Sequence, residues 1–325
     1  MSLDQRLELA VRGTEEVVTR PELRKLLKRG KMKVYCGYEP SGKVHFGHAL
    51  TIWKLIDFQK LGAEVTVLFA DLHAFLNDKG SLEDIRRVAE YNKLCFLALG
   101  LDRKRTKFVL GSDFQLKPRF SLDVLKLSVG TTLSRARRSM DMIARHLENP
   151  DVAQVLYPLM QAVDIAHLGV DVAVGGIDQR KVHMIAREKL PELGYPKPVC
   201  VHMPLVHGLD GASKMSSTKG NFIALDDPPA VIRKKVEKAY CPPKSVEGNP
   251  IVEYAVHVIL PLLGSLEVRR AEKHGGSLEL SSVEELQEVY SSGELHPADL
   301  KGAVSRALIE VLEPVRRQTS LKKRK

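Results

Sequence analysis

The chain has 325 residues, 44% of them hydrophobic and 28% charged, which is enough apolar material for one large or two medium cores. The N-terminal stretch Met1-Ser2-Leu3-Asp4-Gln5-Arg6 is charged and no apolar run approaches the length of a membrane span, so neither a secretory signal nor a transmembrane segment is expected and the cytoplasm is the default compartment. Of the formal net charge of +10, six positive charges fall on Arg316, Arg317, Lys322, Lys323, Arg324 and Lys325, so the remainder is nearly balanced and the basic tail is expected to be a solvated, disordered end.

In chain order, strand-like runs are predicted over Lys33 to Tyr38, Glu64 to Ala70, Lys107 to Leu110, Asp171 to Val174 and Val199 to Met203. Helical patterns lie between them. One is bracketed by Ser81, with Asp84 three residues on as a capping box, and by Gly100 as its stop. Such alternation predicts an α/β fold, a doubly wound parallel sheet that binds ligands at the carboxyl ends of its strands, where Tyr35, Asp71, His73 and the Gly175-Gly176 pair emerge. After Asp226-Asp227-Pro228-Pro229 the pattern turns helical, with helices expected from Pro229 to Tyr240, from Ser282 with Glu285 as its capping partner, and after Pro297 with Leu300, Val304, Leu308 and Val311 on one face. The predicted organisation is therefore a catalytic domain over 1–227, a helical domain over 228–313 and the basic tail over 314–325. Four cysteines, Cys36, Cys95, Cys200 and Cys241, have no CxxC spacing, which predicts reduced thiols and no metal held by the protein alone.

Two short motifs carry chemistry. His45-Phe46-Gly47-His48 follows the first strand and opens a helix, so its imidazoles and the helix's free N–H groups are expected to face one point where phosphate sits. Lys214-Met215-Ser216-Ser217-Thr218 lies in a loop from Gly208 to Gly220 that offers lysines and hydroxyls to a triphosphate. Singly each is weak, since HxGH also occurs in small adenylyltransferases and a Ser/Lys loop is ordinarily a solvated surface. In this order the pair points to ATP and resembles the HIGH and KMSKS signature of class I aminoacyl-tRNA synthetases.

A closer resemblance runs along nearly the whole chain. Gly37-Tyr38-Glu39-Pro40-Ser41-Gly42-Lys43, Ala70-Asp71-Leu72-His73-Ala74, Tyr157 to Ile165, Gly175 to Lys181 and Leu295 to Leu300 are similar to segments of tyrosyl-tRNA synthetases of the archaeal and eukaryotic type. That resemblance implies a class I Rossmann-like fold with a helical anticodon-binding domain, and ATP-dependent charging of L-tyrosine onto tRNA(Tyr) by a homodimer through tyrosyl-adenylate, with Mg²⁺ accompanying the nucleotide. It further implies that Tyr35 and Asp164 hold the phenol hydroxyl of the substrate, that Tyr157, Gln161 and Gln179 gather around its ammonium end, and that Gly37, Ala70, His73 and Gln115 complete the pocket. His45, Gly47, His48, Gly176, Asp178, Lys214, Met215 and Ser216 would bind ATP, Asp178 through the ribose hydroxyls. His45, His48, Lys214 and Lys219 would assist the chemistry. On the tRNA side, Arg180 and Lys181 would meet the first base pair, C1–G72 in this type, and His274, His296 and Asp299 the anticodon. The residues themselves add Arg135 and Arg138, in the helical run Thr131 to Met140, as candidates for a phosphate contact in fixed geometry.

Three positions depart from the family pattern. Ser217 stands where the wider class has a second lysine, Phe46 replaces an aliphatic residue in the HIGH motif, and His274 occupies a place often held by an aromatic that stacks on the first anticodon base. Tryptophanyl-tRNA synthetase shares fold, motifs and reaction and is the nearest alternative, against which Asp164 with Tyr35 favours a phenol over an indole. A small nucleotidyltransferase leaves the second motif and the helical domain unexplained. A non-catalytic tRNA-binding relative has no need of His45, His48, Lys214, Asp164 and Gln179 together.

Overall fold

Each of the five predicted strands forms, because each is a short β-branched or apolar run that can be buried on both faces. The computed structural model describes residues 1–141, 143, 151–211, 215 and 220–322. They are β2 (Lys33–Tyr38), β3 (Glu64–Phe69), β4 (Thr106–Leu110), β5 (Val172–Gly176) and β6 (Val199–Met203), preceded by β1 (Glu16–Val18). The sheet order is β1-β6-β5-β2-β3-β4. Central β2 pairs in parallel with β3, Val34 opposite Val65, and with β5, Val34 opposite Val172. The five predicted strands form the doubly wound parallel sheet expected from the sequence, and β1, which the sequence reading did not include, adds an antiparallel edge along β6. Three residues are too few for an alternation to be read, and an antiparallel edge strand on a parallel sheet is common.

The chain divides into two compact units, 1–42 with 51–204 and 43–50 with 205–325, so the boundary expected at 227 lies inside the second. In the first, helices α1 (Leu3–Val11) and α2 (Arg20–Arg29) come before β2, and α3 (Phe46–Lys60) follows it, its first turn belonging to the second unit. Lys54, almost fully buried on α3, donates to the carbonyls of Leu9 and Arg12 and to Asp57, tying the end of α1 down; burial lowers its ammonium to about 8 against the pull of Asp57. Next come α4 (Asp71–Leu76), α5 (Leu82–Ala98), α6 (Pro118–Val129), α7 (Leu133–Ser139), α8 (Val152–His167) and α9 (Arg180–Lys189). Ser81 caps α5 by accepting from the Asp84 N–H, but the Asp84 carboxylate turns to the serine hydroxyl, so only half of the expected box is made. The core of this unit joins Tyr35, Leu68, Phe120, Ala162, Val163 and Ala173.

The second unit contains α10 (Pro229–Lys238), α11 (Pro250–Tyr254), α12 (Leu260–Leu263), α13 (Val283–Ser292), α14 (Pro297–Val311) and α15 (Glu313–Lys322), with a two-stranded antiparallel sheet of β7 (Leu266–Val268) and β8 (Leu278–Leu280). Leu300, Val304 and Leu308 are fully buried on α14, each burial supplying about 1.5–3 kcal/mol. The expectation of a disordered tail is corrected as far as Lys322. Val315 and Thr319 of α15 are buried, and two apolar or small positions four apart are enough to dock a helix whose other faces are basic.

Candidate active site

In the first unit the strand order reverses around β2 and β5, and their carboxyl ends carry the first group of side chains. Tyr35 and Gly37 face the same side of β2; a Cβ at position 37 would stand 3.4 Å from the Tyr35 hydroxyl, so glycine keeps that face open. Ala70 sits at the start of α4 and His73 on its buried side. On α8, Tyr157, Gln161 and Asp164 are spaced four and three apart and share one face. Gln115 follows the turn Gly111–Asp113 and is buried. A Cβ at Gly111 would lie 2.5 Å from Gln115 Oε1 and 3.1 Å from Asp71 Oδ1, so a larger residue there would displace the Gln115 amide.

These residues meet. Gln115 Nε2 donates to Asp164 Oδ1 at 2.6 Å and lies 3.3 Å from His73 Nδ1, an acceptor in this arrangement, which puts the His73 proton on Nε2. That Nε2 is 3.8 Å from Asp164 Oδ2, too far for a hydrogen bond. Gln161 Nε2 donates to Gln179 Oε1 at 3.1 Å, and the Tyr157 hydroxyl donates to Glu39 at 2.6 Å while its ring packs edge-on against His73. Among the described residues, His73 Nε2, Gln115 Oε1, Gln161 Oε1 and Asp164 Oδ2 are buried with no hydrogen-bond partner. Buried polar atoms are nearly always paired, so several orphans in one cluster mark a place built for a polar ligand. Burial pushes the Asp164 carboxyl well above its ordinary range, opposed by the Gln115 hydrogen bond. The Tyr35 phenol is raised by burial and then by the nearby Asp164, and His73 is lowered to about 4 by burial, so it is neutral near pH 7. A cluster of this kind satisfies a group that both donates and accepts, such as a hydroxyl.

The HxGH residues belong to the second unit. His45 is buried, pairs with Ala224 as a single bridge and packs against Phe222, while Phe46 fills the core beside Tyr254. Part of the motif's donor set is engaged within the motif itself. The His45 N–H donates to His48 Nδ1 at 3.3 Å and the Gly47 N–H to His45 Nδ1 at 3.2 Å. The two imidazoles accept these two N–H groups, of which the Gly47 N–H belongs to the first turn of the helix. With both Nδ1 atoms accepting, each ring carries its proton on Nε2 and is a donor there. A Cβ at Gly47 would stand 3.0 Å from the His45 ring, which explains the glycine. Gly176 ends β5, and Asp178 and Gln179 form the turn after it, all in the first unit. Lys214, Ser216 and Lys219 lie outside the described residues, as do Ser217 and Thr218. Met215 is buried.

Most of the candidate RNA-binding cations are paired. Arg135 meets Glu188 at 2.7 Å, Lys181 meets Asp141 at 3.0 Å and Arg180 meets Glu16 at 2.8 Å, while Arg138 is exposed on α7. In the second unit, His274 ends an exposed turn, and His296 is the N-cap of α14, its Nδ1 accepting from the Ala298 N–H at 3.2 Å. Asp299 therefore does not cap this helix. Its carboxylate has no partner among the described residues and stands in the first turn, where the helix dipole favours it. A groove of about 730 Å³ opens beside His296 between α10 and α14, with Arg233, Lys301 and Arg306 among its walls. The described residues contain no group of three or more His, Cys, Asp or Glu able to hold a metal, and all four cysteines are free.

A family model for class I tRNA synthetases of the W and Y type matches residues 27–313. The chain is 55% identical to a tyrosine–tRNA ligase of Methanopyrus kandleri over 98% of this chain and 99% of the relative, and 56% identical to one of Archaeoglobus fulgidus over 98% of each. The chain belongs to the tyrosyl-tRNA synthetase family of class I. The crystal structure of the Archaeoglobus fulgidus tyrosyl-tRNA synthetase complexed with L-tyrosine superposes with a TM-score of 0.93 at 55% identity, covering 98% of this chain and 99% of that one. The Aeropyrum pernix enzyme gives 0.90 at 37%, over 99% and 98%. A tryptophanyl-tRNA synthetase of Plasmodium falciparum shares the fold, with a TM-score of 0.73 at 18% identity, over 98% and 88%. Within a family frame, two groups escaped the sequence reading. Glu39, which receives the Tyr157 hydroxyl, lay in a quoted segment without a role. Glu16, His183 and His202 form a hydrogen-bonded chain, buried at its two histidines, whose members are far apart in sequence, and no local signal announces it.

Proposed function

We propose that the protein activates L-tyrosine with ATP and transfers the tyrosyl group to the 3′ end of tRNA(Tyr). The observation that carries the choice of amino acid is the unpartnered Asp164 Oδ2, buried beside His73 Nε2 and Gln115 Oε1. A phenol hydroxyl would donate to the carboxylate and accept from the imidazole, and an indole has no atom that does both. Gln161, Gln179 and Tyr157 are proposed to surround the ammonium group, Tyr35 to hold the phenol hydroxyl together with Asp164, and Gly37 and Ala70 to line the pocket. Activation needs no protein nucleophile: a tyrosine carboxylate oxygen forms a bond to the α-phosphorus of ATP as the bond to pyrophosphate breaks. His45 and His48 would donate from Nε2 to phosphate oxygens, Gly47 and Gly176 would let the nucleotide approach, and Asp178 would accept from its ribose. Lys214 and Lys219, with Met215 and Ser216, are proposed to stabilise the departing charge. Mg²⁺ would arrive on the phosphates rather than in a protein cage.

Arg180 and Lys181 are proposed to read the acceptor end, Arg135 and Arg138 to contact phosphates, and Asp299, His296 and His274 to bind the anticodon. The proposed domain roles are catalysis before residue 227 and anticodon binding after it, and the proposed setting is a cytoplasmic homodimer. The test is charging of a tRNA(Tyr) transcript by the purified protein with each labelled amino acid. Tyrosine alone should be transferred, and transfer of tryptophan instead would replace this reading with its nearest alternative.

A further inference from the structure

Glu16 opens β1 directly opposite His202 on β6, and the cross-strand pair puts both side chains on one face of the sheet. His202 Nδ1 is 3.0 Å from Glu16 Oε2, and His202 Nε2 is 3.0 Å from His183 Nδ1 on α9. A carboxylate only accepts, so His202 carries its proton on Nδ1, and its Nε2 must accept from the His183 Nδ1–H. The direction of the chain is thereby fixed, with donors running outward from His183 through His202 to Glu16. Both histidines are buried. At the inner end the His183 ring stands 3.1 Å from where a Cβ of Gly175 would be, and the Gln179 side chain 3.2 Å from the same point, so the chain abuts the wall of the candidate tyrosine pocket.

At the outer end, Arg180 Nε donates to both Glu16 oxygens, at 3.0 and 2.8 Å. The hydrogen bonds to Glu16 engage Nε alone. The two terminal nitrogens of Arg180 have no partner among the described residues, and its side chain is 45% exposed. An arginine is ordinarily a flexible cation, and at the first residue of a helix it is also disfavoured by the dipole. A carboxylate held from behind by a histidine removes both problems: it offsets the local charge and sets the plane of the guanidinium. What is left facing solvent is a two-pronged donor, which matches the paired O6 and N7 acceptors of guanine or two oxygens of a phosphate.

We propose that Glu16 is a positioning residue for acceptor-end recognition, holding Arg180 by its Nε so that the two terminal nitrogens are presented as a fixed fork, with His202 and His183 anchoring the carboxylate. This rests on the reading of Arg180 as an acceptor-end contact. The test uses tRNA(Tyr) transcripts beginning C1–G72 or G1–C72 with the wild type, Glu16→Ala, Glu16→Gln, Arg180→Ala and the double variant. Glu16→Ala is expected to raise KM for the C1–G72 transcript by about tenfold and to narrow the kcat/KM ratio between the transcripts, with tyrosine-dependent ATP–pyrophosphate exchange held within about twofold. Glu16→Gln, which keeps an oxygen for Nε, should fall between the wild type and Glu16→Ala, and the double variant should be no worse than Arg180→Ala. If Arg180→Ala loses transcript discrimination and Glu16→Ala keeps it, the positioning role is overturned while the reading of Arg180 survives. If Arg180→Ala itself leaves discrimination intact, that reading falls and the inference with it. Loss of exchange together with a lowered melting temperature in Glu16→Ala would make the chain a structural brace and also overturn the proposal.

Discussion

Asp164 is the residue at which folding and proposed function oppose each other most directly. Burial raises its carboxyl pKa well above the ordinary 3.8, so its contribution to stability is full below that ordinary value and is lost as pH rises through the raised one. Asp164→Asn retains an oxygen for the Gln115 amide and removes the buried charge. It should therefore raise the melting temperature of the unliganded protein, by roughly 1–3 kcal/mol of stability at pH 8 and by less at pH 5. The same substitution should lower kcat/KM for tyrosine in ATP–pyrophosphate exchange by roughly 10–100-fold, because a charge-assisted hydrogen bond to the phenol is weakened. In the wild type, tyrosine affinity should rise with pH through the raised Asp164 value, since the ionised carboxylate is the better acceptor; His73, lowered to about 4, stays neutral over that window. Calorimetric melting and tyrosine titration at the two pH values check both signs. A variant that is less stable at pH 8 would show that the carboxylate is compensated by contacts beyond Gln115.

At the start of α14, capping and the proposed base contact fall on different residues. The cap is His296, through Nδ1, and Asp299 has no structural partner among the described residues. His296→Ala should thus cost about 1 kcal/mol, whereas His296→Asn, a better cap, should keep or raise stability. Asp299→Ala should leave urea unfolding unchanged within a few tenths of a kcal/mol, raise KM for tRNA and reduce the preference for G34 over other bases. A stability loss in Asp299→Ala with G34 preference intact would return that residue to a purely structural role. At this scale the sequence was legible where one rule acted alone. Parallel strands such as Val199–Met203 are continuous apolar runs and announce themselves, as does α14 with a buried residue every three or four positions. It was illegible where a partner distant in the chain decides. Glu16–Val18 becomes a strand because β6 offers an edge, and α15 holds because Val315 and Thr319 find a core. The pocket residues of α8 were named from resemblance, since Asp164 alone reads as a surface carboxylate of a helix. Their hydrogen-bond partners Glu39 and Gln115, brought by other elements, supply the geometry.

For the whole molecule, the first unit exposes large apolar side chains on three of its helices among the described residues. Leu122, Leu125 and Val129 recur at three and four residues along α6, Leu133 follows on α7, and Val152 and Leu156 lie on α8, all between 38% and 91% exposed. Exposed large apolar side chains recurring along one helix are a common mark of an interface, which fits the proposed homodimer. Sedimentation should give twice the chain mass for the wild type and the chain mass for Leu125→Glu with Val129→Glu at unchanged far-ultraviolet circular dichroism; a monomeric wild type would contradict the dimer. The central claim is that a buried carboxylate, glutamine and histidine select a phenol hydroxyl, and its most direct measurement is the kcat/KM for tyrosine against phenylalanine in ATP–pyrophosphate exchange. A site that must satisfy a substrate hydroxyl rejects the analogue lacking it by about 10⁴–10⁵-fold, a range for which tyrosyl-tRNA synthetases are themselves the source. The account predicts a ratio of that order for the wild type, collapsing toward unity when Asp164→Ala removes the acceptor. A ratio below about tenfold in the wild type, or one that Asp164→Ala leaves unchanged, would contradict it.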